Sequence, residues 1–387
     1  MTRLQKGHLY KAYGAWHVRY RENVWQEDGT TKRIQVSKRI ASLAECPRKG
    51  DARLLAEEIL HKVNTDRTSP SSTMPLVRFV ENIYLPHAKT QRRASTFNGY
   101  GHVWEKHLKP RIADVRVRDF RTWDGERLLQ EIATESSLSR ATLKQIKSLL
   151  SAIFKHAKRC GAINGVNPMQ DVSIPGNAKG PGETFAYSLE EIQRMLTLLP
   201  EPIATVIATA AFTGLRKGEL RGLTWENYTG KEIRVTQSLW ETHVSGPKTR
   251  SSKAPVPVIG QLAAMLERHR LACGNPASGW IFAATNGSPL HLDNLVRRVI
   301  LPVLGKAGVK WRGWHAFRRG LASNLYRLGI SDKTIQAILR HANLAITMNH
   351  YVMSAPADTV EAMGKLETVC NERAMGTLAG SSVRIVN

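Results

Sequence analysis

Residues 213–220 read TGLRKGEL, and this stretch decides how the C-terminal half of the chain is interpreted. Gly214 is the residue type that ends helices, so Arg216 is expected on a tight turn at the start of the next helix. Glu219 follows Arg216 at i, i+3 spacing, from which its carboxylate can orient the guanidinium. Taken alone, the stretch indicates no more than a helix junction with an ordinary surface salt bridge.

A second segment, residues 314–318, reads WHAFR. Its i, i+3 spacing places His315 and Arg318 on one face of a helix. Arg318 can bind two phosphate oxygens at once, and His315 can exchange a proton near neutral pH. A third segment supplies Lys248, which lies at the tip of a predicted hairpin, where it can donate a proton to a leaving oxygen.

The fourth segment contains His341 and, ten residues later, Tyr351. The chain has nine tyrosines, so a tyrosine by itself carries little information. Phenol has a pKa of about 10 and becomes a useful nucleophile only when nearby groups lower that pKa. A tyrosine nucleophile therefore requires cationic side chains around the atom that it attacks.

Together the segments present one ordered set of side chains: Arg216, Lys248, His315, Arg318, His341 and Tyr351. This set resembles the tyrosine recombinase family, the phage-type integrases, over about residues 70–365. The resemblance implies a mainly α fold with small β-sheets (α+β), in which a helical core-binding domain precedes a mixed catalytic domain. A small N-terminal three-stranded sheet with a helix, similar to the arm-binding domain of integrases, completes the expected fold.

The resemblance also implies a role for each residue. Arg216 and Arg318 would bind the scissile phosphate and stabilise its transition state, and Glu219 would support Arg216. Lys248 would protonate the leaving 5′ hydroxyl, although Lys253 is a rival for this role.

His315 would be the acid/base partner of Tyr351, and His341 would bond a non-bridging phosphate oxygen. Tyr351 would become linked to a 3′ phosphate, and the 5′ hydroxyl of a partner strand would resolve this phosphotyrosine. Such a transfer retains the bond energy, so neither a metal nor another cofactor is expected. Arg340 departs from the family pattern, because glycine usually precedes the second histidine; it is expected to add a phosphate contact or to face solvent.

The charge balance narrows the choice of partner. Lys and Arg total 56 against 32 Asp and Glu, a net charge of +24 over 387 residues. This excess predicts a polyanionic partner, either nucleic acid or, as the weaker alternative, an anionic membrane surface. The resemblance implies that the partner is double-stranded DNA with attachment sites. The longest nearly apolar run, 203–212, is too short to span a membrane, and the N-terminus lacks a hydrophobic signal region. Four scattered cysteines without a Cys-x-x-Cys pair predict neither a zinc site nor a disulfide.

The protein is therefore expected in the cytoplasm of a prokaryotic host cell, on DNA. The resemblance adds a homotetramer on DNA, and DNA-bending accessory proteins are candidate partners. An arm-type DNA-binding domain, a helical core-binding domain and a catalytic domain with a C-terminal tail are predicted at residues 1–66, 74–175 and 183–387.

The first unit is predicted to be a basic sheet covered by a helix. Residues 16–21 alternate apolar and polar side chains, which indicates a strand whose outward Arg19 and Arg21 are candidates for DNA contact. A helix over residues 51–63 is expected to carry four apolar side chains on one face: Leu54, Leu55, Ile59 and Leu60.

The second unit is predicted to be helical, and its clearest helix lies between Ser139, a suitable N-cap, and Gly161, a suitable C′ residue. Apolar side chains recur there at helical spacing: Leu143, Ile146, Leu150, Ile153 and Ala157. Another face carries four lysines that are candidates for phosphate contact, although such a stripe is also typical of a solvated face: Lys144, Lys147, Lys155 and Lys158.

In the third unit, Ser188 and Glu191 predict a capping box. Two strands are expected at residues 233–240 and 254–259, with Lys248 in the loop between them. Apolar residues at helical spacing after the nucleophile predict a tail helix, packed on a neighbouring protomer or on its own chain: Val360, Met363 and Leu366.

The sequence thus predicts a site-specific DNA recombinase that integrates and excises a mobile element. Two alternatives remain open. A type IB topoisomerase shares the chemistry but would relax supercoiled DNA without a special site. A non-catalytic, sequence-specific DNA-binding protein would explain the net charge equally well, but not six chemically competent positions.

Overall fold

The computed structural model describes residues 4–26, 28–65, 70–112, 115–246 and 254–341. Contacts within the chain divide it into two compact units, and from here on these are the first unit (residues 1–182) and the second unit (residues 183–387). The first unit contains the first two predicted domains, and the second unit contains the predicted catalytic domain. Several residues predicted from the sequence lie outside the described residues: Lys248, Lys253, Tyr351, Val360, Met363 and Leu366.

An antiparallel three-stranded sheet opens the first unit, and a helix covers one of its faces. The strands pair in the order β1–β2–β3, and the four elements are β1 (His8–Ala12), β2 (Ala15–Trp25), β3 (Thr31–Ser42) and α1 (Lys49–Thr65). The alternation predicted for residues 16–21 is confirmed, since Val18 and Tyr20 are buried and Arg19 and Arg21 are exposed.

The predicted face of α1 is partly wrong. Leu54 and Leu55 are 66% and 40% exposed, whereas Ala52, Ala56 and Leu60 are buried. The small alanines allow the helix to lie close to the sheet, where they share a hydrophobic cluster with strand residues. Tertiary packing therefore chose a face that the positions of the larger residues did not indicate.

The remainder of the first unit is helical. Its α-helices are α2 (Leu76–Phe79), α3 (Leu85–Gln91), α4 (Ala94–Val103), α5 (Thr122–Glu135) and α6 (Arg140–Arg159). π-Helical turns at Val80–Tyr84 and Trp104–Leu108 extend α2 into α3 and lengthen α4.

Helix α6 has the predicted ends and the predicted buried face. Ser139 caps it by accepting a hydrogen bond from the Thr142 main-chain N–H, and Gly161 behind it has a positive φ of 68°. All five apolar residues that were predicted to repeat along this helix are buried in one cluster with the other helices of the unit.

A buried carboxylate joins the sheet to the helices within this first unit. Glu22 on β2 is 5% exposed and forms ion pairs with Arg118 and, at 3.4 Å, with Arg116. Three residues along the same strand, the Trp25 main-chain N–H donates to Thr73 Oγ1 at 2.9 Å. The sheet is thus tied to the helical part at the end of β2.

The second unit consists of helices with two short strand pairs. Its helices are α7 (Leu189–Leu198), α8 (Ile203–Thr213), α9 (Lys217–Arg221), α10 (Gly260–Ala272), α11 (Leu292–Leu295), α12 (Leu301–Lys306), α13 (Trp314–Arg327) and α14 (Asp332–Leu339). A π-helical turn at Val296–Ile300 joins α11 to α12. The capping box predicted at the start of α7 is confirmed, because Ser188 and Glu191 exchange main-chain hydrogen bonds.

Helix α8 lies at the centre of this unit and is buried on nearly all sides. Its threonines do not interrupt the core, because each hydroxyl donates within the helix or just before it. Thr209 Oγ1 donates to Thr205 O at 2.7 Å, and Thr213 Oγ1 donates to Thr209 O. Such back-bonding satisfies a hydroxyl without solvent.

The two strands predicted at residues 233–240 and 254–259 are shorter than expected, and the first of them is split into two. The strands are β4 (Glu232–Ile233), β5 (Ser238–Trp240), β6 (His243–Ser245) and β7 (Val256–Pro257); β4 pairs with β7, and β5 pairs with β6. The first predicted strand is split because Arg234 and Gln237 bond residues outside the ladder, Asn227 and Gly222. The tight hairpin turn lies at Glu241, where φ is 49°, and Lys248 follows β6.

No helix among the residues that the structure describes is long and apolar enough to cross a membrane.

We expect Glu22→Gln to loosen the junction between sheet and helices. The change removes the buried counter-charge of Arg118, which is mostly buried and keeps the exposed Asp119 carboxylate at 3.8 Å, and should lower the local opening free energy by about 2 kcal/mol. Hydrogen exchange measured by mass spectrometry should therefore become faster in residues 22–26 and 70–74.

The matched control is Glu57→Gln, which removes an exposed i, i+4 ion pair with Arg53. Exposed pairs contribute little, so this variant should exchange like the wild type. Equal exchange in the two variants at residues 22–26 would contradict the role given to Glu22.

Candidate active site

The junction between α8 and α9 presents the first arginine. Gly214 ends α8 in the left-handed conformation, with φ of 60°, and an added Cβ would lie 2.9 Å from Leu339 Cδ2. Arg216 is the N-cap of α9, and its main-chain N–H donates to Glu219 Oε2 at 3.0 Å. Its side-chain Nη1 donates to Glu219 Oε1 at 2.9 Å. Glu219 is therefore placed to hold both the turn and the guanidinium, while Arg216 stays partly exposed.

Helix α13 supplies the second arginine and the first histidine. Arg318 is 4% exposed; its Nη1 donates to Gly214 O at 2.6 Å, and its Nη2 donates to Leu339 O. His315, one turn earlier, is exposed. Through these hydrogen bonds, Arg318 holds α13 against the ends of α8 and α14. His315 lies on the solvent-accessible side of α13.

The second histidine lies directly against the second arginine. Arg318 Nε donates to His341 Nε2 at 3.2 Å, so Nε2 is the acceptor and the imidazole proton of His341 belongs on Nδ1. The main chain of His341 is fixed too, because its N–H donates to Gln336 O and its carbonyl accepts from Gln336 Nε2. His341 is only 7% exposed.

Arg340 is buried, which contradicts one of the two expectations for it. It does not face solvent, because its side chain is 1% exposed. Its Nη2 donates to Glu219 Oε2 at 2.8 Å, so its described ionic partner is a carboxylate of the protein. The expectation of a solvent-facing arginine is therefore wrong, and the side chain is directed into the protein rather than towards an outer face. Sequence position could not indicate this, since Glu219 is 121 residues away.

The charged side chains of this site lie close enough together to shift one another's pKa values. Burial raises the pKa of Glu219, but Arg340 and Arg216 more than offset burial and hold that pKa below its ordinary value. His315 is exposed as a whole residue, but its imidazole is partly desolvated; this desolvation lowers its pKa, and the cations around it, first Arg318, lower it further. At neutral pH the carboxylate is therefore ionised and the imidazole of His315 is neutral.

The structure thus brings five predicted residues together on one side of the second unit: Arg216, Glu219, His315, Arg318 and His341. The two candidate general acids and the candidate nucleophile lie outside the described residues. Among the residues that are described, no group of three or more His, Cys, Asp or Glu side chains is arranged to hold a metal ion.

The DNA-binding candidates lie in the first unit. Lys144, Lys155 and Lys158 on α6 are exposed, and Lys147 is half-buried, with its Nζ 3.5 Å from Gln170 O. Arg19 and Arg21 lie on the face of the sheet that α1 leaves uncovered. Cross-strand pairing adds arginines that the sequence analysis missed, because Arg39 pairs with His17 and Arg33 pairs with Asn23 on β2.

Two glycines that set the position of α9 were also missed. A Cβ on Gly218 would lie 2.5 Å from Ser238 Oγ, and one on Gly222 would lie 2.9 Å from Gln237 O. Helix α9 can therefore approach β5 only because these positions carry no side chain. The sequence RKGELRG contained this signal, but glycine spacing alone does not name the element it packs against.

Comparison with known proteins shows the family. The phage integrase family model matches residues 188–358, a range that contains all six predicted catalytic positions. A XerC-like tyrosine recombinase of Caldanaerobacter subterraneus subsp. tengcongensis is 25% identical over 351 residues, covering 82% of this chain and 89% of that protein. Residues 188–358 of this chain are a phage integrase family domain, and the chain as a whole is similar to tyrosine recombinases. The predicted family and enzyme class, a site-specific DNA recombinase, are thereby confirmed.

Other tyrosine recombinases extend the similarity. An integrase of Streptomyces ambofaciens is 25% identical and covers 81% of this recombinase and 85% of its own length. The Tn1549 transposon integrase, solved with transposon right end DNA, has a TM-score of 0.64 at 19% identity and covers 76% of this chain and all of that one. A lambda integrase tetramer bound to a Holliday junction covers 91% of this chain and 96% of its own, with a TM-score of 0.57 at 18% identity. These structures confirm the predicted α+β fold.

Gly214→Ala should destabilise this recombinase more than alanine does at a glycine that is also left-handed but has open space around it. The backbone conformation alone costs roughly 1–2 kcal/mol for alanine, and the clash with Leu339 and Leu321 adds about 1–3 kcal/mol. The control is Gly274→Ala, which has φ of 85° but no neighbour within 4 Å of the added Cβ.

Thermal unfolding of both variants tests the contact. The melting temperature should fall clearly further for Gly214→Ala than for Gly274→Ala. Equal shifts would mean that the Cβ of residue 214 meets no resistance from α13 and α14.

Proposed function

We propose that this recombinase cuts and rejoins double-stranded DNA at attachment sites through a 3′-phosphotyrosine intermediate, and so integrates and excises a mobile element. One observation carries the proposal. Two arginines and two histidines, separated along the chain, converge on one side of the catalytic unit in the chain order typical of the family. Tyr351 follows His341 by ten residues.

In the first step, the Tyr351 hydroxyl oxygen attacks the scissile phosphorus, and the bond from phosphorus to the 5′ oxygen breaks. His315 accepts the phenol proton, which its neutral imidazole permits. Lys248 gives a proton to the leaving 5′ oxygen, with Lys253 as the rival donor. In the second step, the 5′ hydroxyl of a partner strand attacks the phosphotyrosine and releases Tyr351.

The arginines stabilise the negative charge that grows on the phosphate oxygens during both steps. Arg216 is the partly exposed one and binds the phosphate directly. Arg318 donates hydrogen bonds to two carbonyls and to His341, so the position of its guanidinium is fixed. Once DNA has entered, Arg318 contacts the phosphate from the inner edge of the site. His341 bonds a non-bridging oxygen through Nδ1, because its Nε2 faces Arg318.

The three predicted units divide the DNA contacts. Residues 74–175 and residues 183–387 each contact the core site, with the lysines of α6 on phosphates. Residues 1–66 bind a second, arm-type site through the uncovered sheet face that carries Arg19 and Arg21. The match to lambda integrase over 91% of the chain supports this N-terminal role, since it extends beyond the core-binding and catalytic parts.

The assembly on DNA is a homotetramer, in line with the lambda integrase tetramer on a Holliday junction. The protein works in the cytoplasm of a prokaryotic host, and all seven curated relatives that match are bacterial. DNA-bending accessory proteins assist the arm-type sites.

A nicked suicide substrate tests the nucleophile, because the 5′ fragment diffuses away and the phosphotyrosine cannot be resolved. Wild-type protein should form a covalent complex that survives denaturing electrophoresis, and Tyr351→Phe should form none. Tyr13→Phe is the control, since Tyr13 is fully exposed on the N-terminal sheet. A covalent complex with Tyr351→Phe would assign the nucleophile elsewhere.

The same substrate separates the alternatives. A wild-type protein that binds but never becomes linked to DNA would be a non-catalytic DNA-binding protein. Relaxation of supercoiled DNA that lacks an attachment site would favour the topoisomerase.

The pH dependence of cleavage tests the role of His315. Its pKa is lowered from the ordinary 6.5, so the neutral base persists as the pH falls to that value and is lost only below it. The single-turnover rate should stay level down to about pH 6.5 and then decline. His315→Gln should cut the rate by roughly a hundredfold or more and remove this acid limb. An unchanged acid limb in His315→Gln would rule out His315 as the titrating base.

A further inference from the structure

Arg340 adopts a backbone conformation that is unfavourable for an arginine. It ends α14 with φ of 56° and ψ of 43°, in the left-handed region. This region costs roughly 1–2 kcal/mol for a residue with a side chain, and glycine avoids the cost. An observed backbone outlier beside a reactive site is a reason to ask what its side chain does there.

The side chain of Arg340 is buried against the carboxylate that holds Arg216. Glu219 Oε2 accepts from Arg340 Nη2 at 2.8 Å, while Glu219 Oε1 accepts from Arg216 Nη1 at 2.9 Å. Both Glu219 and Arg340 are almost completely buried, and Arg216 is the partly exposed member of the three. One carboxylate therefore lies between an inner and an outer guanidinium.

This arrangement makes the net charge around the bound phosphate more positive. With Arg216 alone, Glu219 would cancel the positive charge that has to stabilise the phosphate. With Arg340 present, the inner arginine balances the carboxylate. Among the described residues, two guanidiniums, those of Arg216 and Arg340, therefore face the Glu219 carboxylate. Effects of this kind are strong at a buried site, because little water screens the charges.

We propose that Arg340 is a positioning residue for strand transfer, which neutralises Glu219 and thereby fixes Arg216 while leaving its charge to the scissile phosphate. The inference rests on the proposed strand-transfer function. Arg340 itself does not touch DNA in this role. It acts through Glu219, and it also ties the end of α14, next to His341, to the start of α9.

A double-mutant cycle on the nicked substrate tests whether Arg340 acts through Glu219. Arg340→Gly removes the charge and the backbone strain together, so the variant is expected to fold. Its single-turnover cleavage rate should fall by roughly ten- to a hundredfold, the scale of a lost positioning contact. In the Glu219→Gln background, the same change should alter the rate by less than about threefold. The affinity for DNA should change little in both backgrounds.

Two further variants exclude a merely structural effect. Arg340→Lys keeps the charge and should recover a large part of the rate lost in Arg340→Gly. Asn275→Gly is the matched control for backbone relief, because Asn275 also has a positive φ, 53°, but lies exposed and far along the chain from the site. It should leave cleavage unchanged.

The pH profile supplies a readout that loss of stability would not move. Arg216, Arg340 and His315 are the charged or titratable groups that face Glu219. Arg340 is the largest cause that lowers the pKa of Glu219, so this pKa rises when Arg340 is removed. The rate of Arg340→Gly relative to wild type should therefore fall as the medium becomes more acidic, and this fall should vanish in the Glu219→Gln background.

The outcomes separate this inference from the proposed function. A wild-type protein without any covalent complex would refute the proposed function. A wild-type complex together with wild-type rates in Arg340→Gly would overturn only the role of Arg340. An equal loss of rate in both Glu219 backgrounds would also overturn it, because Arg340 would then act by another route.

Discussion

The arrangement of the predicted catalytic residues depends on the contacts of one buried carboxylate, that of Glu219. It accepts hydrogen bonds from the main chain and side chain of Arg216 and from the side chain of Arg340. Removing a carboxylate from water is unfavourable unless cations and donors replace the water. Two arginines do so here, and in return the carboxylate fixes the start of α9 against the end of α14.

A second set of contacts joins the same parts of the chain. Arg318 reaches the carbonyls of Gly214 and Leu339 and the imidazole of His341. The close approach of Leu339 to Gly214 makes the packing between α8 and α14 equally specific. The described part of the site is therefore held in place without DNA, which is the condition under which fixed charges contribute most to a transition state.

The sequence was sufficient wherever the controlling contacts are local. The buried face of α6, its cap at Ser139 and the end of α8 at Gly214 all depend on residues within a few positions of one another. The order of the predicted catalytic residues indicated the family for a different reason, because it combines several weak patterns into one specific arrangement.

The features that could not be predicted depend on distant partners. Leu54 and Leu55 are exposed because the sheet receives the alanine face of α1. The strand at residues 233–240 is interrupted because Gln237 lies against Gly222. Arg340 was expected to meet phosphate or solvent, since nothing near it in the sequence marks Glu219 as its partner.

The central claim is that Tyr351 becomes covalently linked to a 3′ phosphate of DNA. The most direct measurement is mass spectrometry of the peptide that remains attached to DNA after the trapped complex of the wild-type protein is digested. We expect a single linked peptide, with the nucleotide on Tyr351 and bonded through its 3′ phosphate. A link to another residue, or to a 5′ phosphate, would contradict it.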